Sequence, residues 1–195
     1  MSPSDDELLH GMMAGDEEAF VSLYRRHQGA LYRFALQMSG SESIAEEVTQ
    51  EVFLALIRDV RQYDSCRGTL SAYLYGIARN QVLRCLEKDR SYVPIADEVE
   101  GAMPALTSRE DLLGELTERQ RLESVRRAIL ALPPNYREAV VLCDVHEMSY
   151  AEAAAVLGCA LGTVRSRLHR GRALLCEKLR PRRRAEDQAR SGCCV

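Results

Sequence analysis

Residues 149–172 have the sequence SYAEAAAVLGCALGTVRSRLHRGR, which predicts two helices joined by a tight turn. Ser149 and Glu152 have the spacing of a capping box, in which each side chain binds a free backbone N–H at a helix start. The alanine-rich segment after them has high helix propensity, and Gly158 can adopt the positive φ angle at which helices commonly end. We therefore expect one helix from Ser149 to the glycine and a second from about Leu161 to Leu175.

The second helix has an apolar face and a basic face. Apolar residues recur at helical spacing and predict a stripe that packs inward, namely Leu161, Val164, Leu168 and Leu175. The outward rows carry Arg165, Ser166, His169, Arg170 and Arg172. Arginine binds guanine edges bidentately in the major groove, and other cations hold phosphates. The segment predicts a helix-turn-helix with its recognition helix second, and a solvated basic helix in an ordinary bundle is the alternative.

The charge of the chain is strongly uneven. Its 195 residues have a formal net charge of only -3, and 46% of them are hydrophobic, which is enough for a packed core. Between Gly158 and Arg184, however, nine basic residues stand against one acid, whereas between Asp97 and Glu123 eight acids stand against three arginines. This separation indicates one surface that faces DNA and one segment that DNA would repel.

The sequence predicts neither export nor insertion into a membrane. The acidic N-terminus lacks the apolar core of a secretory signal, and no run approaches the length of a membrane span, so we expect a cytoplasmic protein without membrane insertion. Seven scattered cysteines then predict reduced thiols. No pair has the two-residue gap of a zinc or redox site, so we expect no enzyme, no cofactor and no metal. The vicinal Cys193 and Cys194 are the candidates for binding a soft metal or for oxidation.

Helical periodicity dominates the first ninety residues. Asp16 is expected to begin one helix, and Ser43 with Glu46 to begin another that runs from Ile44 to about Val60. The second of these carries a stripe made of Glu47, Gln50, Glu51, Leu54 and Arg58. Residue chemistry alone favours a solvated face here over a docking surface for a basic helix.

A polar loop, residues 63–68, precedes a long helix that opens at Thr69 or Leu70. One side of this helix is expected inside, with Leu70, Leu74, Ile77, Gln81 and Cys85. The other side presents Thr69, Tyr73, Asn80 and Arg84. A tyrosine can stack on an unpaired base while arginine holds a phosphate, so this side suits single-stranded nucleic acid. One aromatic residue is weak evidence by itself.

The chain therefore predicts an all-α protein of two small domains joined by a flexible linker. The first domain spans residues 1–90, an acidic linker with Pro94, Gly101 and Pro104 spans 91–120, the helix-turn-helix domain spans 121–180, and a polar tail spans 181–195. In the second domain, a helix with Leu122, Val125, Ile129 and Leu132 is expected to end before Pro133.

Three blocks of this chain resemble, in order, bacterial sigma factors of the extracytoplasmic-function type, which are two-domain alternative initiation subunits of RNA polymerase. The segment AEEVTQEVFLAL, residues 45–56, resembles region 2.2 of that family. YDSCRGTLSAYLYGIARNQVLR, residues 63–84, resembles regions 2.3 and 2.4. LPPNYREAVVLCDVHEMSYAEAAAVLGCALGTVRSRLHRGR, residues 132–172, resembles region four. The proline-led helix and the paired N-terminal domain distinguish this pattern from a generic helix-turn-helix.

The resemblance implies a role for each polar face. The clamp helices of the largest polymerase subunit would bind Glu47, Gln50, Glu51 and Leu54. The minus-ten element would be opened and held by Tyr63, Asp64, Arg67, Thr69, Tyr73, Asn80 and Arg84. The minus-thirty-five element would be contacted by Arg165, Ser166, His169, Arg170 and Arg172. The implied partners are core RNA polymerase, promoter DNA and an anti-sigma factor, and the implied target is a stress- or envelope-responsive set of genes.

The chain departs from the family pattern at several positions, and two alternative functions accompany this interpretation. Tyr73 stands where the family often has tryptophan, and Ala160 stands where it usually has serine or proline before the recognition helix. The first alternative is a helix-turn-helix regulator that binds operator DNA without polymerase. The second is a metal- or redox-sensing sigma factor that uses Cys193 and Cys194.

Overall fold

The computed structural model describes residues 3–91 and 118–180, and these ranges contain helices and turns without a β-strand. The α-helices are α1 (Asp5–Met13), α2 (Glu17–Ser39), α3 (Glu42–Asp59), α4 (Leu70–Ser91), α5 (Glu118–Leu130), α6 (Pro134–Val140), α7 (Tyr150–Leu157) and α8 (Leu161–Leu179). A π-helical segment, Val141–Val145, continues α6. The all-α prediction is confirmed. The predicted linker lies mostly outside the described residues, although α4 and α5 each extend into its ends.

Most helix starts follow the local signals of the sequence, and one does not. Asp16 caps α2 through a hydrogen bond from the Glu18 N–H to its carboxylate, as predicted. The predicted cap of α3 at Ser43 is wrong, because Ser41 occupies that position and its hydroxyl accepts a hydrogen bond from the Ile44 N–H. Gly40 explains the difference: it ends α2 with φ 75°, so the chain reverses at once and the next helix begins two residues early.

The helix-turn-helix forms as predicted from local sequence. Ser149 and Glu152 make both bonds of the capping box, and Gly158 ends α7 in the left-handed conformation with φ 60°. The recognition helix α8 runs to Leu179, one turn beyond the expected end. Val164 and Leu168 are buried, but Leu161 is 39% exposed because it occupies the first turn, beyond the edge of the core.

The N-terminal helices α2, α3 and α4 pack around a core that contains Leu23, Leu31, Phe34, Val48, Val52 and Leu56. The inward face of α4 is rotated from the predicted one. Leu70 and Leu74 are buried as expected, but Tyr75, Ala78 and Val82 complete the buried stripe, whereas Ile77, Gln81 and Cys85 are only half-buried. The rotation arises because α4 also packs against α7, so its buried face serves both halves of the protein.

A cluster of three rings joins the two halves. Phe34 on α2, Tyr75 on α4 and His146 beyond the π-helical segment have ring centroids 5.2–5.9 Å apart. The Tyr75 hydroxyl lies 2.8 Å from His146 Nδ1, and His146 Nε2 lies 3.1 Å from Gln37 Oε1. Burial lowers the pKa of His146 to about 4 and raises that of Tyr75 to about 12. Both rings are therefore neutral near pH 7, and the hydroxyl donates to the imidazole, which donates to the amide.

Gly171 permits the close crossing of α8 over α6. A Cβ atom at this position would lie 2.7 Å from Cγ2 of Val140 and 3.2 Å from the carbonyl oxygen of Tyr136. We expect Gly171→Ala to lower the free energy of unfolding by about 1–3 kcal/mol, because the crossing must widen. Gly162→Ala is the matched control on the same helix, since a Cβ there meets nothing within 4 Å. Chemical denaturation of both variants measures the difference, and equal stabilities would contradict the packing described here.

Within residues 3–91 and 118–180, no helix combines the length and the apolar character required to span a bilayer.

Candidate polymerase and promoter interfaces

The predicted docking stripe on α3 is exposed along its length. Glu47, Gln50 and Glu51 face solvent, and Leu54 is 47% exposed. Ile57, one turn further on, is 53% exposed and extends the apolar part of this surface. Two exposed aliphatic side chains beside carboxylates form a surface with an apolar centre and an acidic border, which suits a basic amphipathic partner helix.

An open groove of about 970 Å³ between α2 and α3 adjoins this stripe and shares Gln50, Leu54 and Ile57 with it. Its floor is aromatic: the rings of Tyr24 and Phe53 have centroids 4.7 Å apart, and Phe20 packs edge-on against Phe53 at 6.3 Å. None of these three aromatic residues belongs to the docking stripe that the sequence predicts. Phe20 and Tyr24 lie on α2 and Phe53 lies on α3, so only the packing of these two helices brings the three rings together and leaves one side of the cluster open.

The segment between α3 and α4 is held in a defined shape by its own polar groups. The Tyr63 hydroxyl donates to the Gly68 carbonyl at 3.1 Å, and the Asp64 carboxylate accepts from the Cys66 N–H at 2.9 Å. Tyr63 and Tyr73 lie with ring centroids 5.5 Å apart, so the loop and α4 together present two aromatic faces. Partial burial raises the pKa of both tyrosines, and both hydroxyls are therefore protonated near pH 7. The side chain of Arg67 lies outside the described residues.

Asn80 and Arg84 are exposed on the same side of α4 as Tyr73, as their spacing predicts. Thr69 begins the helix, where its hydroxyl accepts from the Ala72 N–H at 3.2 Å. The same hydroxyl donates to the Glu152 carboxylate at 3.3 Å, although the two residues are 83 positions apart. Tyr73, Asn80 and Arg84 thus share one side of α4, and Thr69 at the start of this helix also contacts α7.

The outer face of α8 presents Arg165, Ser166, His169 and Arg170 to solvent. The guanidinium of Arg165 lies 5.8 Å from the ring centroid of Tyr150, a cation–π contact that limits the directions available to this arginine. The Ser166 hydroxyl donates to the Thr163 carbonyl at 2.9 Å, so its oxygen remains available as an acceptor. This face can offer bidentate donors to base edges in a major groove.

Arg172 differs from the other residues predicted to contact DNA because its guanidinium already forms an ion pair within the protein. Its Nε and Nη2 atoms donate to the Asp144 carboxylate at 3.0 and 2.5 Å, and these bonds raise the pKa of Arg172. The pair joins α8 to the π-helical segment. In this structure Arg172 therefore orients the recognition helix, and a direct contact between Arg172 and DNA stays a prediction.

The recognition helix begins without a side-chain cap. Ala160 has the extended backbone of an N-cap residue, and its carbonyl accepts from the Thr163 N–H at 2.8 Å, but a methyl group cannot bind the free N–H groups. We expect Ala160→Ser to raise the free energy of unfolding by about 1 kcal/mol. Ala155→Ser, at an exposed position inside α7, is the control and should lower that free energy slightly. Thermal denaturation measures both changes, and an Ala160→Ser variant no more stable than the parent would contradict the expectation.

Comparison with known proteins gives matches to both halves of the chain. Residues 23–92 match the family described as Sigma-70 region 2, and residues 122–175 match Sigma-70, region 4. The chain is 38% identical to the ECF RNA polymerase sigma factor SigE of Mycolicibacterium smegmatis, in an alignment that covers 92% of this chain and 70% of that protein. It is 32% identical to the ECF RNA polymerase sigma-E factor of Escherichia coli, over 91% of this chain and 95% of that protein.

Two solved structures share the fold. The sigma factor RpoE of Bartonella quintana, in complex with the anti-sigma factor NepR, aligns with a TM-score of 0.65 and 27% identity over 84% of this chain and 98% of that one. CnrH, in complex with the cytosolic domain of CnrY, aligns with a TM-score of 0.67 and 27% identity over 90% of this chain and 96% of that one.

Proposed function

This chain belongs to the extracytoplasmic-function sigma factors of RNA polymerase, and on that premise we propose which of its surfaces bind polymerase and which bind the promoter. The observation that carries the proposal is the presence, on one chain, of an exposed apolar and acidic stripe on α3, a polar and aromatic surface on α4 and a basic recognition helix α8. A factor that recruits polymerase to a promoter needs these three surfaces.

Core polymerase binds the stripe formed by Glu47, Gln50, Glu51 and Leu54, and Ile57 extends its apolar centre. Desolvated aliphatic side chains supply most of the affinity at such an interface. The carboxylates steer a basic helix of the partner into position. The aromatic groove between α2 and α3 lies beside this contact and offers a second apolar surface to the same partner.

The promoter is held at two points. The major groove of the minus-thirty-five element receives α8, where Arg165 and Arg170 bind base edges and Ser166 and His169 bind neighbouring acceptors or phosphates. The opened minus-ten strand lies along Thr69, Tyr73, Asn80 and Arg84, with Tyr63, Asp64 and Arg67 at the entry loop. Stacking on an unpaired base is worth about 1–3 kcal/mol per base, which helps to hold the strand open.

The protein acts in this scheme as an initiation factor without catalytic chemistry of its own. It acts in the cytoplasm, where polymerase and the promoters are. The genes whose promoters it recognises are a stress- or envelope-responsive set. An anti-sigma factor that covers the polymerase- or DNA-binding faces would control it, as the sigma factor RpoE of Bartonella quintana is found in complex with the anti-sigma factor NepR.

Transcription in vitro with core RNA polymerase and a library of genomic fragments tests the proposal. Transcripts that depend on this protein should begin downstream of one shared two-part sequence. Tight binding to duplex operator DNA without polymerase, together with no transcript, would instead indicate the operator-binding regulator.

A further inference from the structure

The ring of Tyr150, the first residue of α7, lies against a side chain of the recognition helix. The guanidinium carbon of Arg165 is 5.8 Å from the centroid of this ring, which is within the range of a cation–π contact. Both side chains are exposed. The pair therefore lies at the surface that we assign to the minus-thirty-five element, although Tyr150 is not among the residues that the sequence predicts to contact DNA.

The start of α7 fixes the position of the ring. The hydroxyl of Ser149 donates to Glu152 Oε2 at 2.7 Å and accepts from the Glu152 N–H at 3.2 Å. Met148 is buried, and its N–H donates to the Leu142 carbonyl at 3.0 Å. Because its neighbours are held on both sides, the backbone of Tyr150 has little freedom to move away from α8.

The backbone beneath Arg165 is also fixed, whereas its side chain is restricted only by the ring. Val164 and Leu168 are buried, so α8 cannot turn its outer face without exposing part of the core. A long arginine side chain on such a helix can adopt many rotamers. Within residues 3–91 and 118–180, no carboxylate or carbonyl binds the Arg165 guanidinium, and the Tyr150 ring is its partner.

A stacked guanidinium keeps its hydrogen-bond donors available. The contact with the ring uses the flat face of the group, whereas its N–H bonds lie in the plane and point outward. A guanine edge can therefore bind Arg165 bidentately while the ring stays in place. A side chain that is already restricted also loses less conformational entropy when it binds, so the stack favours this contact.

Arg170 and Arg172 provide comparisons on the same helix. Arg170 is exposed on the outer face, but in the described part of the chain no aromatic ring lies against its guanidinium. Arg172 is bound by the Asp144 carboxylate at 2.5 Å, which occupies two of its donors. Of these three arginines, Arg165 is the one that the described residues both orient and leave free to donate.

We propose that Tyr150 is a positioning residue for promoter recognition, which directs the Arg165 guanidinium at one G·C base pair of the minus-thirty-five element. The inference rests on the proposed function and deepens it, because it explains how one of the assigned base contacts is aimed. Tyr150 acts through the face of its ring, so phenylalanine can replace it. Removing the ring changes the preference at one base pair and leaves the preference at the others intact.

The test measures transcription by core polymerase and the full-length protein from promoters with single substitutions in the minus-thirty-five element. Tyr150→Leu removes the ring but keeps an apolar side chain with high helix propensity, and Tyr150→Phe is the matched control that keeps the ring. The substitution profile of Arg165→Ala identifies the base pair that Arg165 reads. Circular dichroism verifies that the helices are kept. If Tyr150→Leu is misfolded, Tyr150→Gln carries the test.

Discrimination is the ratio of transcription from the preferred promoter to transcription from the substituted one. Tyr150→Leu should lower discrimination by about 2- to 5-fold at the base pair that Arg165 reads, and nowhere else in the element. Tyr150→Phe should behave as the parent does. Combined with Arg165→Ala, Tyr150→Leu should have no further effect, whereas combined with Arg170→Ala its effect should be as large as in the parent.

Three results would overturn the proposal. Unchanged discrimination, or an equal loss of transcription on every sequence, would show that the ring does not act on base reading. A loss with Tyr150→Phe as large as that with Tyr150→Leu would assign the effect to the hydroxyl. An effect of Tyr150→Leu that persists beside Arg165→Ala would show that it does not act through Arg165.

Failure of the proposed function would look different. The parent protein would then direct no transcription from any promoter. The same ratios, measured for binding of substituted duplexes by the protein alone, would still show whether Tyr150 positions Arg165.

Discussion

Replacing Leu54 by aspartate is expected to abolish transcription from every promoter that this protein serves. Leu54 is an exposed apolar side chain in the middle of an acidic stripe, and Ile57 follows it one turn later. An aspartate there would place an unpaired charge in the desolvated centre of the proposed polymerase contact. Losses of about 2–4 kcal/mol at such central positions correspond to affinity for core polymerase that is about 30-fold to several hundred-fold weaker.

The measurement is the dissociation constant of the complex with core polymerase, by fluorescence anisotropy of labelled protein. Leu122→Asp is the matched control, because Leu122 is 62% exposed and lies on α5, away from the α3 stripe. Both variants lose one exposed leucine and gain one negative charge. If both weaken polymerase binding equally, the α3 stripe is not the specific docking surface.

The second large effect is expected at the recognition helix. Arg170→Ala should weaken activity on the preferred minus-thirty-five sequence by about 5- to 150-fold, corresponding to about 1–3 kcal/mol, and should relax the preference at one base pair. Arg165→Lys tests separately whether the planar guanidinium group is required, since lysine keeps the charge but cannot make the bidentate hydrogen bonds. In this protein the Arg165 guanidinium also stacks on Tyr150, a contact that lysine makes less well.

The control for these variants is Lys178→Ala, which removes a positive charge from the last turn of the same helix. Loss of a phosphate contact weakens binding equally for all sequences and lowers the salt dependence of binding by about one charge. Transcription from promoters with single substitutions in the minus-thirty-five element distinguishes the two behaviours. If Arg170→Ala leaves the sequence preference intact, then Arg170 contributes charge and does not select bases.

Features that depend on neighbours in the chain could be predicted from the sequence. The start of α7, its glycine end and the uncapped start of α8 each depend on residues within four positions of one another, and the structure has all three. The start of α3 differs from the predicted one although its signal is also local. Two serines, Ser41 and Ser43, are both suitable, and the choice depends on how sharply Gly40 turns the chain.

Features that depend on distant partners could not be predicted. Tyr75 is buried because His146 lies against it, yet 71 positions separate the two residues. Arg172 belongs to the outward row of α8 by its spacing, and only the fold brings Asp144, 28 positions earlier, to its guanidinium. The exposed Leu122 on α5 is the converse case. It shares an apolar stripe with the buried Ile129, but the core ends before reaching it.

The role of Glu138 illustrates the same limit for charged residues. In sequence it is one acid on a short helix, typical of a solvated position. In the structure it is nearly inaccessible and pairs with Arg79 from the other half of the chain. A buried carboxylate needs a cationic partner, but the sequence does not indicate which of the many arginines supplies it.

The most direct test of the proposed function is run-off transcription with purified core RNA polymerase, this protein and the library of genomic fragments. The proposed function predicts transcripts that require the protein, begin downstream of one shared two-part sequence, and disappear with Leu54→Asp while persisting with Leu122→Asp. Folded protein that directs no initiation on any fragment, with no inhibitor present, would contradict it.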